Sequence, residues 1–183
     1  MENLPDDLAL KLAAQGDQEA FGILYERYIA RIYNYIYYRV GQESEAEDLT
    51  SRVFHRAYNH IGTYKNTGIP FSAWLYRIAH NLVANWHRDN SRRKEVPLDD
   101  NPDIHHHGEL PETVLIHSQQ LDSLMRMLRT LNAERQQLII LKFVEGLSNA
   151  EVGVIMGRSE GAIKSLYHRT LFGLRDELGD LEL

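Results

Sequence analysis

The sequence predicts an all-α protein made of two small helical domains joined by a flexible acidic linker. Apolar residues recur at spacings of three and four along most of the chain, the period of one face of a helix. Alternating strand patterns, nucleotide-binding glycine loops and repeats of fixed period are absent from the sequence. A proline-rich stretch without period divides the helical parts, so we expect domains at residues 1–93 and 121–183 and a linker at 94–120.

Four helices are predicted in the first domain. Pro5 and Asp6 are suited to open a short one. Gly41 is placed to end a long second helix, and Ser44 with Glu47 has the pattern of a capping box that opens a third. The second helix has one apolar face, formed by Phe21, Leu24, Tyr25, Tyr28, Ile32, Ile36 and Val40. The fourth carries Phe71, Trp74, Leu75, Ile78, Ala79, Leu82 and Trp86.

The second domain begins with an amphipathic helix marked by Leu121, Leu124, Leu128 and Leu131. Asn132 can cap the next helix, which Gly146 ends. We expect that helix to bury Leu138, Leu141 and Phe143.

Residues 147–174 have the pattern of a helix-turn-helix, whose second helix buries Ile163, Tyr167, Leu171 and Leu174. Ser148 and Glu151 form a capping box for the first helix, and the small Gly153 would let a second helix approach it closely. Gly157 can adopt the positive φ of a tight turn, and Ser159 can cap the second helix.

The outer face of that second helix suits duplex DNA. Residues 158–175 carry four basic residues and one acidic residue. A helix of this kind can lie in a major groove, reading base edges and contacting phosphates. The alternative is a solvated face of an ordinary helical bundle or of a protein-binding domain. The candidate DNA-binding residues are Arg158, Ser159, Glu160, Lys164, Ser165, His168 and Arg169.

A second candidate nucleic-acid surface lies at residues 74–93, a segment with four arginines and one acidic residue. Cations, amides and planar rings together are typical of single-strand binding, and Tyr76, His80, Trp86 and His87 are interleaved. Core packing is the favoured interpretation for the Trp74 ring. For Trp86, core packing and contact with nucleic acid both stay open. The candidate residues are Trp74, Arg77, Asn81, Asn85, Arg88, Arg92 and Arg93.

Charge and composition restrict the remaining functions. The formal net charge is −6, but residues 94–120 alone hold one lysine against six acidic residues, so the deficit belongs to the linker. No cysteine, signal peptide or membrane-length apolar run is visible, and we expect a soluble cytoplasmic protein. No catalytic motif is found, so we expect no enzyme activity, small-molecule substrate or cofactor. His105, His106 and His107 could bind a metal, but a solvated loop is the favoured interpretation.

These features resemble an extracytoplasmic-function (ECF) sigma factor, in the order that this family has them. GDQEAFGILYERY at 16–28 resembles the opening Gly-Asp-x-x-Ala-Phe-x-x-Leu-Tyr pattern of the family. Ala-Glu-Asp-Leu-Thr at 46–50 with the Val-Phe pair at 53–54, and FSAWLYRIAHN at 71–81, resemble its next two signatures. Residues 131–169 resemble its C-terminal domain.

The resemblance implies a division of labour. The helix at 46–61 would bind the clamp of core RNA polymerase, through Glu47, Asp48, Leu49, Thr50, Val53 and Phe54. The helix at 71–93 would recognise the promoter −10 element, with Asn81 contacting an unpaired base, and the helix after Ser159 would read the −35 element. The acidic linker would run through polymerase, and a separate anti-sigma factor, often membrane-bound in this family, would be the inhibitor.

The chain departs from the family pattern at three positions. Ser51 stands where glutamine is common, Asn85 where aspartate is common, and Leu166 where an arginine is expected to contact phosphate. Two other functions remain open: a stand-alone helix-turn-helix regulator, and a helical module that binds protein.

Overall fold

The computed structural model describes residues 4–64, 70–93, 127–128 and 130–179, without the side chains of residues 92–93 and 176–179. Every regular element in these ranges is helical, so the all-α prediction is confirmed. The predicted linker with its three histidines, and the predicted apolar positions Leu121 and Leu124, lie outside the described residues.

The N-terminal unit consists of four helices: α1 (Asp6–Ala14), α2 (Gln18–Val40), α3 (Glu43–His60) and α4 (Phe71–Arg93). A short 3₁₀ turn at Ile61–Thr63 follows α3. The Asp17 side chain caps α2 by accepting from the Ala20 amide at 3.1 Å. Gly41 ends α2 with φ +74°, as predicted. The apolar faces of all four helices share a core that includes Leu24, Ile32, Leu49, Val53, Leu75 and Leu82.

The predicted start of α3 is wrong in its detail. Gln42, not Ser44, is the extended residue before the helix, and no side-chain cap is formed there. Ser44 already lies within the first helical turn, so its hydroxyl cannot serve as the N-cap acceptor of a capping box.

The C-terminal unit consists of α5 (Ala133–Ile139), α6 (Asn149–Met156) and α7 (Glu160–Gly179), preceded by helical residues 127 and 128. The Asn132 side chain caps α5 as predicted, accepting from the Arg135 amide at 2.9 Å. After Ile139 the helix widens into one π-helical turn, Ile140–Val144, and Gly146 follows with φ +65°.

The prediction that Phe143 is buried is wrong, because its side chain is 59% exposed. Leu138 and Leu141 are fully buried, as predicted. Phe143 lies two positions beyond Leu141, which places it on the opposite side of the turn from the core.

The two units pack directly against each other. Helices α2 and α4 of the N-terminal unit contact the π-helical turn and α6 of the C-terminal unit. The buried apolar residues of both units form one continuous hydrophobic core. None of the described helices is long and apolar enough to cross a bilayer.

Candidate nucleic-acid interface

The helix-turn-helix predicted from the sequence is formed by α6 and α7. The Ser148 hydroxyl accepts from the Glu151 amide at 3.2 Å, and the Ser148 amide donates to the Glu151 carboxylate at 2.8 Å. These hydrogen bonds lower the pKa of Glu151, so its carboxylate is ionised at neutral pH and acts as an acceptor in the capping box. Gly157 turns the chain with φ +66°, and the Ser159 hydroxyl caps α7 by accepting from the Ala162 amide at 3.2 Å.

Gly153 is required by the close approach of the turn that follows α6. A Cβ atom at this position would lie 2.7 Å from the Arg158 carbonyl oxygen. The Arg158 amide in turn donates to the Gly153 carbonyl at 2.9 Å. The small residue predicted here is confirmed, although its neighbour is the backbone of the turn and not a second helix.

Helix α7 separates a buried face from an exposed one. Ile163, Leu166, Thr170 and Leu174 are buried. Glu160, Lys164, Ser165, His168 and Arg169 are exposed, on the opposite side. Spacings of three and four bring Lys164, Ser165, His168 and Arg169 together in one polar stripe.

Two predicted contact residues at the start of α7 have structural partners. Arg158 forms an ion pair with Glu134, although both side chains stay partly exposed. The Ser159 hydroxyl serves as the cap of α7. These contacts hold the turn in place and leave the Arg158 guanidinium accessible at its edge.

Leu166 stands where the family pattern has arginine, and its side chain is buried. The Leu166 side chain is 7% exposed and belongs to the core of the C-terminal unit. It therefore stabilises α7 from the inside, and the cations of the helix lie at the neighbouring exposed positions.

Helix α4 presents the second polar stripe. Arg77, Asn81, Asn85 and Arg88 are exposed and recur at spacings of three and four, so their side chains share one face. Trp74 lies at the start of this stripe, half-buried, with its ring 5.2 Å from Tyr64 and 5.6 Å from Phe71. Arg92 and Arg93 continue the helix, but their side chains are not among the described residues.

Most of the rings interleaved with these residues do not belong to this surface. Tyr76 is 1% exposed, and His80 is half-buried against Arg39, so neither ring belongs to the exposed stripe. The Trp86 Nε1 donates to the Glu45 carboxylate at 2.8 Å and joins α4 to α3. Of these four rings, His87 alone is exposed. The apolar period of α4 turns Tyr76 inward, together with Leu75 and Ala79.

The residues predicted to contact polymerase divide between the core and the surface. Leu49, Val53 and Phe54 pack into the N-terminal core, so these side chains are not available to a partner in this conformation. The Thr50 hydroxyl donates to the Ala46 carbonyl at 2.6 Å. Glu47 and Asp48 are exposed, and Asp48 pairs with Arg52 at 3.5 Å.

Sequence reasoning missed a groove between α2 and α3. It has a volume of about 400 Å³ and lies beside the exposed carboxylate of Glu47. Tyr25 is 39% exposed at its edge although it belongs to the predicted apolar face of α2, so the sequence pattern did not indicate this groove. The groove is lined by Tyr25, Ile29, Ala30, Tyr33, Asn34, Glu47, Thr50 and Ser51.

Within the described ranges, no three acidic or histidine side chains come together in a group that could hold a metal ion. Among the described residues, two exposed polar helix faces and the groove beside Glu47 are therefore the surfaces that match the predicted contacts.

Comparisons with known proteins agree with this arrangement. The Sigma-70 region 2 family model matches residues 24–93, and the Sigma-70, region 4 model matches residues 121–171. The chain is 42% identical to the ECF RNA polymerase sigma factor BldN of Streptomyces coelicolor, across 92% of this chain and 64% of BldN. It is 31% identical to the ECF RNA polymerase sigma factor SigW of Bacillus subtilis, across 94% of this chain and 96% of SigW.

Two solved structures share the fold at lower identity. CnrH, in complex with the cytosolic domain of CnrY, matches with a TM-score of 0.74 and 21% identity over 96% of this chain and 97% of CnrH. The sigma factor RpoE from Bartonella quintana, in complex with the anti-sigma factor NepR, matches with a TM-score of 0.67 and 21% identity over 87% and 96%. The two family models together with the SigW match show that the chain belongs to the ECF RNA polymerase sigma factors.

Proposed function

We propose that this chain is an alternative sigma factor that binds core RNA polymerase and directs promoter-specific initiation of transcription in the cytoplasm. The observation that carries the proposal is the pair of exposed polar stripes on α4 and α7, within segments that match regions 2 and 4 of the family. The chain would act by binding alone, and polymerase would supply the catalysis.

Helix α4 is the proposed reader of the −10 element. Asn81 and Asn85 offer amides that can pair with the edges of unstacked bases, and Arg77 and Arg88 lie beside them to contact phosphates. Trp74 keeps part of its ring exposed at the start of the stripe, where a base can stack. Such a surface suits a strand that polymerase has opened.

Helix α7 is the proposed reader of the −35 element as duplex DNA. Its exposed stripe begins at the turn, so the first residues of the helix would enter the major groove. Lys164 and Arg169 carry the positive charge, and Ser165 and His168 lie between them with polar groups for base edges. The Glu160 carboxylate can accept from a cytosine amino group.

The groove between α2 and α3 is the proposed contact with the polymerase clamp. Its exposed tyrosine and its partly buried aliphatic lining can receive an apolar side chain from a partner helix. Glu47 at its rim supplies negative charge that would select a basic partner. Of the residues predicted to bind core polymerase, only the polar ones remain in this proposal. Tyr25 and Tyr33, which line the groove, are added to them.

A separate anti-sigma factor is the proposed inhibitor. Its support is that RpoE from Bartonella quintana was solved with an anti-sigma factor, NepR, on a fold that this chain shares. Such a partner would compete with polymerase for exposed surface on one or both units.

A gel mobility shift with promoter duplex separates the sigma factor from a stand-alone regulator. We expect no specific shift with the chain alone, and a heparin-resistant complex when core polymerase is added. Specific binding of the duplex without polymerase would favour the stand-alone regulator. Folded chain that fails to bind core polymerase would contradict the proposal.

A further inference from the structure

A cavity of about 660 Å³ lies where the ends of α2 and α4 meet the start of α5. Its volume falls within the range of about 300–1,000 Å³ that is typical of small-molecule sites. The lining includes Arg39 at the end of α2, His80, Trp86 and Asn90 on α4, and Gln136 on α5. None of these five residues takes part in the function proposed above.

Arg39 contributes a buried positive charge to this cavity. It is 3% exposed, and within the described ranges no carboxylate forms an ion pair with it. Nη1 forms the hydrogen bonds of the guanidinium, to the Tyr35 hydroxyl at 2.8 Å and to Nδ1 of His80 at 3.0 Å. Nε is enclosed and has no hydrogen-bond partner. Buried charges in proteins are normally paired, because an unpaired one in the interior is strongly destabilising.

A second buried polar group lines the same cavity from α5. Gln136 is 6% exposed, yet its side-chain amide forms no hydrogen bond with any other described residue. A buried amide in this state is uncommon, since most polar groups in protein interiors are hydrogen-bonded. The NH₂ group of this amide can donate to an anionic oxygen. Arg39 and Gln136 therefore bring two incompletely bonded donors to one cavity from two helices.

The remaining lining adds donors and an apolar wall. A guanidinium cannot accept, so Nδ1 of His80 accepts from Arg39 and the imidazole proton is on Nε2, which makes this ring a donor as well. Asn90 adds a further amide, and no carboxylate lines the cavity among the described residues. Apolar groups also line it, among them the Trp86 ring, which a 2.8 Å hydrogen bond from its Nε1 to Glu45 holds in place.

From this cavity we infer that the chain binds a small organic anion, with a phosphate or carboxylate group against Arg39 and Gln136 and an apolar body beside Trp86. A guanidinium binds such groups through two parallel N–H···O hydrogen bonds. The Nε–Nη2 edge of Arg39 is the one without a partner among the described residues. The anion would supply the negative charge that Arg39 lacks. This site is separate from the promoter-binding and polymerase-binding surfaces, so it does not rest on the proposed function.

Calorimetric titration of the full chain tests the site with phenyl phosphate, benzoate, inorganic phosphate and benzyl alcohol. We expect phenyl phosphate or benzoate to bind at one site per chain, and the tighter of the two identifies the preferred anionic group. Inorganic phosphate should bind more weakly than phenyl phosphate, because it has no apolar body to bury. Benzyl alcohol has the ring without the charge, and it should bind at least about tenfold more weakly than the tighter anion.

Nuclear magnetic resonance of the same titration shows where the anion binds. The chain has two tryptophans, of which Trp86 lines the cavity and Trp74 does not. The tighter anion should shift the indole N–H resonance of Trp86 and leave that of Trp74 unchanged. Trp86→Phe assigns the two resonances. A shift confined to Trp74 would place the anion on the exposed stripe of α4 and would overturn the site.

Two variants test the residues that would hold the anion. Arg39→Lys keeps the charge but loses the paired hydrogen bonds, and it should weaken binding about tenfold or more. Gln136→Leu keeps the side-chain volume and should weaken binding several-fold. The matched controls are Arg52→Lys and Gln18→Leu, at exposed positions of α3 and α2, and they should leave the affinity unchanged.

Circular dichroism identifies a variant that has failed to fold. If Arg39→Lys does not fold, Gln136→Leu and the uncharged benzyl alcohol still decide the outcome. Three results would overturn the site: a folded chain that binds neither anion at millimolar concentration, benzyl alcohol that binds as tightly as the anions, or folded site variants with unchanged affinity. Because none of these measurements uses polymerase or promoter DNA, failure of the proposed function would leave their outcome unaffected.

Discussion

Arg39, in the last turn of α2, lies with its guanidinium 3.0 Å from Nδ1 of His80 on α4. Arg39 is 3% exposed, and within the described ranges no carboxylate pairs with it. The imidazole must therefore be neutral to accept a hydrogen bond from this cation. Burial, together with Arg39, lowers the pKa of His80 below its usual value of 6.5.

This pair predicts a loss of stability in mild acid. Because the pKa of His80 is lower in the folded state than in the unfolded chain, the unfolded chain binds more protons as the pH falls below 6.5. The contribution of His80 is fully present above pH 6.5 and is lost as the pH falls through its folded pKa. Urea unfolding from pH 7.5 to 5 should show this decline. His80→Gln should flatten it, and the exposed His60→Gln should not.

Two glycines of the helix-turn-helix predict opposite effects of the same substitution. Gly153→Ala places a methyl group 2.7 Å from the Arg158 carbonyl and should destabilise the C-terminal unit by about 1–3 kcal/mol. Gly161→Ala meets no atom within 4 Å and should stabilise it by about 0.5 kcal/mol. Urea unfolding of both variants measures the difference. Equal effects would mean that the turn does not approach α6 as described.

Two serines, both predicted as helix caps, should also differ. Ser148→Ala removes the acceptor of the Glu151 amide, and we expect a loss of about 1 kcal/mol in unfolding free energy. Ser44→Ala removes no cap and should change stability little. The same urea series compares them, and a comparable loss at Ser44 would contradict the observed start of α3.

Local signals account for what the sequence predicted well. The caps at Asn132, Ser148 and Ser159 and the turn at Gly157 use hydrogen bonds between residues close in sequence. The start of α3 was predicted wrongly because Ser44 and Gln42 both precede acidic residues. The extended backbone at Gln42 shows that the helix begins after this residue.

Contacts between the units could not be predicted in the same way. Tyr76 resembled a stacking residue because arginines and amides surround it in sequence, yet its position beside Leu75 turned it into the core. Glu145 carries no local signal, since its donors, the Tyr76 hydroxyl and Nε of Arg31, lie on helices more than sixty residues away. The burial of Arg39 could have been predicted from the sequence, because this residue follows Ile32 and Ile36 on the buried face of α2.

The two polar stripes predict separable defects in promoter use. Asn81→Ala should weaken transcription about tenfold or more from promoters with an intact −10 element, since one bidentate base contact is worth about 1–3 kcal/mol. Lys164→Ala should weaken recognition of the −35 element and reduce its dependence on salt. The exposed Asn59→Ala and Lys11→Ala are matched controls that should leave transcription unchanged.

Run-off transcription with reconstituted bacterial core RNA polymerase tests the central claim most directly. The wild-type chain should direct transcripts of one defined start from its promoter, lost without the chain and reduced by Asn81→Ala but not by Asn59→Ala. Transcripts that do not depend on the chain, or no transcripts from a folded chain with any fragment of its genome, would contradict the account.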